Sequence, residues 1–507
     1  MSSLPGGATT TGVPKAGVWI LAATILGSSM VFIDGTVVNV ALAALQSALG
    51  ATGSQLQWVV ESYALFLAAL LLVGGSLGDL YGRRKIFLVG VTLFAVASAC
   101  CGLAMNIQQL IVARGLQGVG GALLVPGSLA LISSSFGAEE RGRAIGTWSG
   151  FTTITTAIGP VMGGWLIEHF SWRWVFFLNL PMAALVVGLS LYRMPESRDE
   201  EMVRRLDGWG ALLATVGLCG VTFALIEMGR GGSRVWIAGV VGMTALVGFF
   251  VVEARSTAPM LPLSLFRSRT FSGANLLTLF LYAALSGFLF FLPLYLIEVR
   301  HYSPTAAGAA LLPLILLMFL LSRWSGGLIV RYGAKLPLIV GPLIAGVGFA
   351  LFTRSGVSGP YWSTVFPAVM VLGLGMAISV APLTTTVMSS IDQSRAGVAS
   401  GTNNAVSRVA GLLAIAVLGG VFSAAYGRRM EKGLDVLALP AEERRQVEAE
   451  RGKLAAAATS DARVRKLIDE SFVGAYGVVL WVAVGLSVAS ALSAAVLIDA
   501  TPEPADG

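Results

Sequence analysis

The chain has 507 residues, of which 55% are hydrophobic and only 12% are charged, so it carries more apolar surface than one water-soluble core can bury. Its formal net charge of +7 does not indicate nucleic-acid binding, because the Lys and Arg residues stand in short clusters between apolar runs. The three cysteines lie inside apolar runs without CxxC spacing, which argues against a metal site or a disulfide. These features predict an all-α polytopic membrane protein whose solvent includes the lipid bilayer.

Apolar runs of about twenty residues, each long enough to cross about 30 Å of hydrocarbon, recur along the chain. Six are predicted first, at residues 18–43, 56–77, 86–105, 108–133, 143–167 and 172–192. An additional pair follows at 209–228 and 235–252. Six more complete the chain, at 272–298, 305–329, 336–353, 361–389, 397–423 and 473–498. The sequence therefore predicts fourteen transmembrane helices, arranged as two six-helix bundles with two extra helices between them.

The basic residues set the predicted orientation of these helices. Arginines and lysines concentrate in alternate loops, as in 83–85 and 193–205, and such loops face the cytoplasm. The two termini, 1–17 and 499–507, are then cytoplasmic. The predicted domains are an N-terminal bundle at 18–192, a linker with the additional helices at 193–271, and a C-terminal bundle at 272–498. No cleavable leader pattern is evident, so the first helix is expected to remain as an anchor.

One segment breaks the charge rule. Residues 424–472 lie on the extracytoplasmic side by helix parity, yet they contain many basic residues, from Arg428 to Lys466. The interspersed acids and the alternation of Leu, Ala, Glu and Arg predict a solvated amphipathic helix or hairpin. The alternative is a docking site for an accessory partner.

Few charged residues fall inside the predicted spans, where a charge is costly and therefore marks function, and three of them stand out. They are Asp34, Glu61 and Arg114, and the helical rise of 1.5 Å per residue places all three toward the outer half of the membrane. A carboxylate beside an arginine in one cavity can load and release protons. The alternatives are a structural ion pair for Asp34 and Arg114, and for Glu61 a side chain that reaches the outer interface below Trp58.

The segment that joins the second and third helices combines glycines, an acid and a basic cluster, as Gly75-Ser-Leu-Gly-Asp79-Leu-Tyr-Gly82-Arg83-Arg84-Lys85. Glycines permit close helix approach and a sharp turn, and Asp79 can pair with basic groups or a helix N-terminus of the opposite bundle. We interpret this segment as a cytoplasmic gate that latches one transport state. The alternative is a topology anchor with a tight turn.

The fifth helix contains Gly159-Pro160-Val-Met-Gly163-Gly164. The proline kinks the helix and the small residues permit close packing, as expected beside a moving cavity. Ordinary helix packing is the alternative interpretation.

Four segments in order carry a resemblance to a known family. They are Asp34-Gly-Thr-Val-Val-Asn39-Val-Ala-Leu42, the Gly75 to Lys85 segment, Leu110-x3-Arg114-x2-Gln117-Gly118, and Gly146 through Gly164. Together they resemble the fourteen-helix drug:proton antiporters of the major facilitator superfamily, the EmrB and QacA type. The resemblance covers nearly the whole chain.

The resemblance implies a role for each motif. Asp34 and Arg114 would belong to the proton-coupling and substrate region, and the glycines and proline of the fifth helix to the antiporter motif. Glu61 is similar to an acid that some exporters of cationic drugs carry in Trp-Val-Val-Glu-Ser-Tyr. The sequence departs from the family pattern at two positions. Thr155 replaces a usual glycine in the fifth helix. Met318 stands where some exporters of multivalent cations have an acid, which argues against doubly charged cargo.

The expected function is proton-coupled antiport that exports small lipophilic drugs or toxic compounds, cationic ones included, by alternating access. The proton gradient supplies the energy without a cofactor, and the chain has no GxxxxGK[ST] loop for ATP. We expect a monomer in the bacterial cytoplasmic membrane. The alternatives are export of a native siderophore, lipid or secondary metabolite, and a non-transporting receptor or scaffold. An enzyme is disfavoured because the two histidines lie at helix ends and no catalytic cluster is visible.

Overall fold

The computed structural model describes residues 15–197, 207–256, 259–391, 396–437 and 439–499. The first seven helices are α1 Lys15–Leu49, α2 Gly53–Tyr81, α3 Arg83–Leu103, α4 Ile107–Ser135, α5 Ala138–His169, α6 Trp174–Phe177 and α7 Asn179–Arg193. Two more follow, α8 Gly208–Glu227 and α9 Ser233–Arg255. The remainder are α10 Arg269–Leu294, α11 Pro304–Ala309, α12 Leu312–Tyr332, α13 Lys335–Phe352, α14 Tyr361–Thr364, α15 Phe366–Ser389, α16 Ala396–Leu437, α17 Ala441–Glu450 and α18 Ala462–Leu497.

The predicted all-helical membrane architecture is confirmed, and within the described residues no strand occurs. Thirteen helical segments of those residues are long and apolar enough to cross a membrane. The helix α5 is not among them. The count of fourteen spans therefore stays a prediction. Most of both predicted cytoplasmic termini, and the basic stretch 198–206, lie outside the described residues.

The molecule has two halves, α1–α7 (the N-half) and α10–α18 (the C-half). The pair α8 and α9 packs closely on itself where Gly220 meets Gly242. It lies beside α2, because Trp58 Nε1 donates to Glu227 Oε1 at 3.2 Å and the Trp58 and Phe223 rings are 6.1 Å apart. The extra helices thus cover one side of the place where the halves meet.

The segment 424–472, predicted as a solvated amphipathic helix or hairpin, is a helical hairpin in which α16 and α18 extend well past their predicted ends. Their apolar stripes continue beyond the expected membrane boundary, so Tyr426, Met430 and Leu434 are buried in one cluster with Ile468 and Phe472. The connection is therefore shorter than predicted. We call residues 439–461 the hairpin segment, its side of the molecule the hairpin end, and the opposite side, where α1 begins and α18 ends, the termini end.

The hairpin segment folds back over the N-half. The Lys453 carbonyl accepts from Gln46 Nε2 of α1 at 2.7 Å, and the Leu454 carbonyl accepts from the Tyr426 hydroxyl of α16 at 3.2 Å. Leu454 has a φ of 55°, an uncommon conformation for a residue with a side chain. Its side chain fills the space above Gly53, where an added Cβ would lie 2.8 Å from a Leu454 methyl group. The segment therefore bridges both halves.

The two halves touch at the hairpin end and diverge toward the termini end. On α5, Gly164 packs directly on the Pro304 backbone of α11, whereas Gly146, on the same face five turns away, has no neighbour within 4 Å of an added Cβ. On α16, Gly419 packs on Gln57 of α2, whereas Gly401, again five turns away on the same face, has no such neighbour. Five turns span about 27 Å. The structure is closed between the halves at one end and open at the other.

Candidate functional site

Asp34 on α1 and Arg114 on α4 form a buried ion pair. The Arg114 and Asp34 side chains are 1% and 0% exposed, and Arg114 Nη1 donates to Asp34 Oδ2. Arg114 Nε also donates to the Val59 carbonyl of α2 at 3.1 Å. Its guanidinium lies 4.2 Å from the centre of the Tyr63 ring, also on α2. One arginine thus ties three helices of the N-half together.

Gln117 completes the surroundings of the pair. It accepts from Arg114 Nη1 at 2.8 Å and donates from Nε2 to Asp34 Oδ1 at 2.8 Å. The same Nε2 donates to Ser98 Oγ of α3 at 3.2 Å, and Asn179 Nδ2 of α7 donates to that oxygen at 2.9 Å. Both Asp34 oxygens therefore have a donor. Gln117 was predicted only as part of a motif, and Ser98 and Asn179 were not predicted, because their contacts join helices distant in the sequence.

This network has two possible charge states. When both are ionised, Asp34 and Arg114 cancel each other's charge in the apolar interior. A proton on Asp34 would remove the negative charge that faces Arg114 and leave it only neutral acceptors, namely the carboxyl itself, the Gln117 amide and the Val59 carbonyl. That change redistributes hydrogen bonds among α1, α2 and α4. The geometry is suited to a proton-dependent switch, and it also matches the structural ion pair named as the alternative.

Glu61 lies apart from the pair. It is two residues from both Val59 and Tyr63, which face Arg114, so a helical step of 200° turns it to the other side of α2. It is 0% exposed, and neither carboxylate oxygen has a hydrogen-bond partner among the described residues. One turn earlier, Gln57 packs on Gly419 of α16. Glu61 is therefore buried near the contact between α2 and α16. The predicted alternative of an interfacial side chain is wrong.

The predicted gate segment forms a local cluster at the termini end. Asp79, in the last turn of α2, accepts from Arg83 Nε at 2.9 Å. Gly82 has a φ of 105° that permits the turn, and Glu196, after α7, accepts from the Arg84 backbone N–H at 3.0 Å. Glu196 lies outside the motif and was not predicted.

The contacts of this cluster stay within the N-half in this state. The ion-pair partner of Asp79 is Arg83 of the next turn, and Glu196 also belongs to the N-half. A contact between Asp79 and the opposite bundle in another transport state stays a prediction. The halves are separated at this end, which brings no C-half group to Asp79. Gly75 makes only an ordinary contact, with Pro126 at 3.6 Å from an added Cβ.

The glycine motif of α5 lies where the N-half and the C-half pack together, at the contacts of α5 with α11 and of α2 with α16. We call this contact the seam. Gly163 packs on Val37 of α1, whose Cγ1 would be 2.8 Å from an added Cβ. Gly159 packs on Thr36 of α1 in the same way. Gly164 faces the Pro304 backbone of α11.

The Pro160 carbonyl is in turn covered by Gly308 of α11. The motif therefore holds α5 against α1 on one side and against the C-half on the other.

Replacing Gly164 should disturb this seam selectively. The added methyl of Gly164→Ala meets the Pro304 backbone, which cannot rotate away, so we expect a loss of about 1–3 kcal/mol in the free energy of unfolding. Gly150→Ala on the same helix is the matched control, because its Cβ has no neighbour within 4 Å. Thermal melting of both variants in detergent tests this, and equal melting temperatures would contradict the observed packing.

Arg408 on α16 was missed as a candidate, although it falls inside the predicted span 397–423 and the rule that selected Asp34 applied to it equally. It is half-buried, and within the described part of the chain it has no hydrogen bond or ion pair. Leu412, one turn later on the same face of α16, lies in one buried cluster with Leu65 of α2. Arg408 therefore faces the N-half across the seam.

Known proteins share this architecture. Residues 24–415 match the Major Facilitator Superfamily. The chain is 37% identical to "Multidrug resistance protein Stp" of Mycobacterium tuberculosis, over 82% of this chain and 78% of that protein. It is 36% identical to "Tetracenomycin C resistance and export protein" of Streptomyces glaucescens, over 80% and 76%.

Among solved structures, an inward-facing bacterial homologue of the human lysosomal transporter Spinster superposes with a TM-score of 0.69 at 18% identity, covering 97% of this chain and 100% of that one. At this level of identity the superposition shows a shared fold. The sequence match covers most of the chain and includes both halves. The chain belongs to the Major Facilitator Superfamily.

Proposed function

We propose that the chain is a proton-coupled antiporter that exports small lipophilic compounds. The observation that carries the proposal is the sealed Asp34–Arg114 pair, whose aspartate lies on α1, a helix that borders a seam closed at one end and open at the other. An ionisable pair at such a place can couple protonation to the choice of which end is open. The names of the two relatives, which speak of multidrug resistance and of resistance and export, support export over uptake.

The proposed cycle uses two states. In the state described here the cavity opens at the termini end, which we place in the cytoplasm because the basic loops lie there. Cargo enters this cavity from the cytoplasm or the inner leaflet. After the closed end has switched, external protons reach Asp34, neutralise it and free Arg114, which favours return to the first state. We place the chain in the bacterial cytoplasmic membrane, with both termini inside, and expect a monomer that needs no cofactor.

Reconstitution tests the antiport directly. Purified protein in liposomes with an internal pH dye is given a proton gradient and then a panel of lipophilic compounds of different charge. Cargo-dependent proton flux is the expected result, and it should vanish when the gradient is collapsed with a protonophore. Cargo movement that is indifferent to the gradient would refute proton coupling, and the absence of any flux would favour the receptor or scaffold alternative.

Glu61→Gln tests whether the second buried acid carries a coupling proton. A neutral amide of the same size replaces a carboxylate that has no partner among the described residues, so we expect no fall in melting temperature. Cargo-dependent proton flux should fall by about tenfold or more, the range for loss of a proton-transfer group. Glu227→Gln is the matched control and should retain flux within about twofold, because Glu227 contacts Trp58 at the side of the seam. Normal flux in Glu61→Gln would assign Glu61 a structural role.

A further inference from the structure

Arg408 lies on the face of α16 that meets α2. Gly419 and Leu412 of this face pack on α2, against Gln57 and against the buried residue Leu65 respectively. Helical steps of 3.6 residues carry the same face onward through 408, 404 and 401. Gly401 has no neighbour within 4 Å of an added Cβ, so the halves have separated by that level. Arg408 therefore lies where the packed seam gives way to the open cavity.

The charge available in this cavity is positive. Asp34 and Arg114 neutralise each other, and Glu61 is 0% exposed. Arg408 has no ion pair within the described residues. An arginine without a counter-ion at the edge of a membrane cavity is costly unless a ligand supplies the anion.

Two neutral polar groups accompany Arg408. Asn404, one turn earlier on the same face, is exposed and donates only to the Ser400 carbonyl of its own helix, at 3.1 Å. On α10, Tyr282 lies between Thr278, which accepts from Asn403 at 2.7 Å, and Ser286, which borders Gly411.

The parallel register of α10 and α16 thus places Tyr282 at the level of residues 407–408. Its hydroxyl makes no hydrogen bond in the described chain. A guanidinium, an amide and a phenol therefore lie within about one helical turn of one another along this wall of the cavity.

We propose that this wall binds the anionic group of the cargo, and that the transporter prefers lipophilic compounds carrying a carboxylate or a phenolate to lipophilic cations. The planar guanidinium of Arg408 suits such oxygens because it offers paired N–H donors. Asn404 and Tyr282 add donors for a second oxygen. The inference rests on the proposed export function for its cavity, and it reverses the cationic preference that Glu61 suggested in the sequence, because the structure seals Glu61 away from that cavity.

Equilibrium binding tests the site without any gradient. Fluorescein, an anion, and rhodamine 123, a cation, share a xanthene ring system, so their affinities for purified protein in nanodiscs isolate the effect of charge. Wild type should bind fluorescein at least about tenfold more tightly than rhodamine 123, as expected for one charge-assisted pair. Arg408→Gln should lose about tenfold in fluorescein affinity and little in rhodamine affinity. Arg428→Gln, an exposed arginine later on the same helix, is the control and should bind as wild type.

A second variant protects the test from misfolding of Arg408→Gln. Asn404→Asp places a carboxylate one turn from Arg408 at an exposed position, so it should weaken fluorescein binding and strengthen rhodamine 123 binding. Wild type that binds fluorescein no more tightly than rhodamine 123 overturns the proposal, as does unchanged fluorescein affinity in the folded variants. Charge-selective binding without gradient-driven transport in liposomes would uphold the site and refute the antiport.

Discussion

Asp34→Asn is expected to reduce cargo-dependent proton flux by about 100-fold or more, the scale for removing a group that carries the proton. Asparagine keeps the size of the side chain but cannot ionise, so the network loses its second charge state. Arg114 would then keep only neutral acceptors, Gln117 at 2.8 Å and the Val59 carbonyl at 3.1 Å. The liposome assay with an internal pH dye measures this loss directly.

Loss of flux must be separated from loss of folding. Removing one partner of a buried pair leaves the other charge uncompensated and costs about 3–5 kcal/mol of stability. The double variant Asp34→Asn with Arg114→Gln removes both charges, so it should recover melting temperature relative to Asp34→Asn while remaining without coupled flux. Coupled flux that survives in Asp34→Asn would move the coupling role to Glu61 and leave the pair with its structural interpretation.

The membrane architecture was predictable because a span needs a long apolar run, and such runs are visible without any knowledge of packing. Asp34 and Arg114 were predictable because charges inside those runs are rare and costly. Ser98 and Asn179 were not predictable, because serine and asparagine are common in membrane helices. Only the fold brings Ser98 of α3 to Gln117 and Asn179 of α7 to Ser98.

The direction of each side chain was the harder problem. The helix α2 is apolar on most of its surface, so the sequence did not reveal that Glu61 points away from Arg114. The direction of Arg408 was likewise not visible in the sequence. Only the structure places this residue on the side of α16 that faces α2. The lengths of α16 and α18 in the hairpin were not predicted, because the apolar residues that extend these helices past the expected spans pack on each other.

A disulfide between Thr52→Cys and Gly452→Cys should lock the hairpin end closed. An added Cβ at Gly452 would lie 3.8 Å from the Thr52 Cβ, close to the usual separation of about 3.8 Å in disulfides. Thr52 is the N-cap of α2 in the N-half, whereas Gly452 belongs to the hairpin segment of the C-half. Since alternating access requires the halves to part here, the oxidised protein should lose nearly all transport, and a thiol reductant should restore it.

The experiment needs a background in which Cys100, Cys101 and Cys219 are replaced, so that only the designed pair can cross-link. Each single cysteine variant is the control, since Thr52→Cys alone removes a helix cap worth about 1 kcal/mol and must be judged without the cross-link. Full transport by protein shown to be cross-linked would mean that the hairpin segment moves together with α2. The opening between the halves would then have to occur on the α5–α11 side, where Gly164 and Gly308 meet.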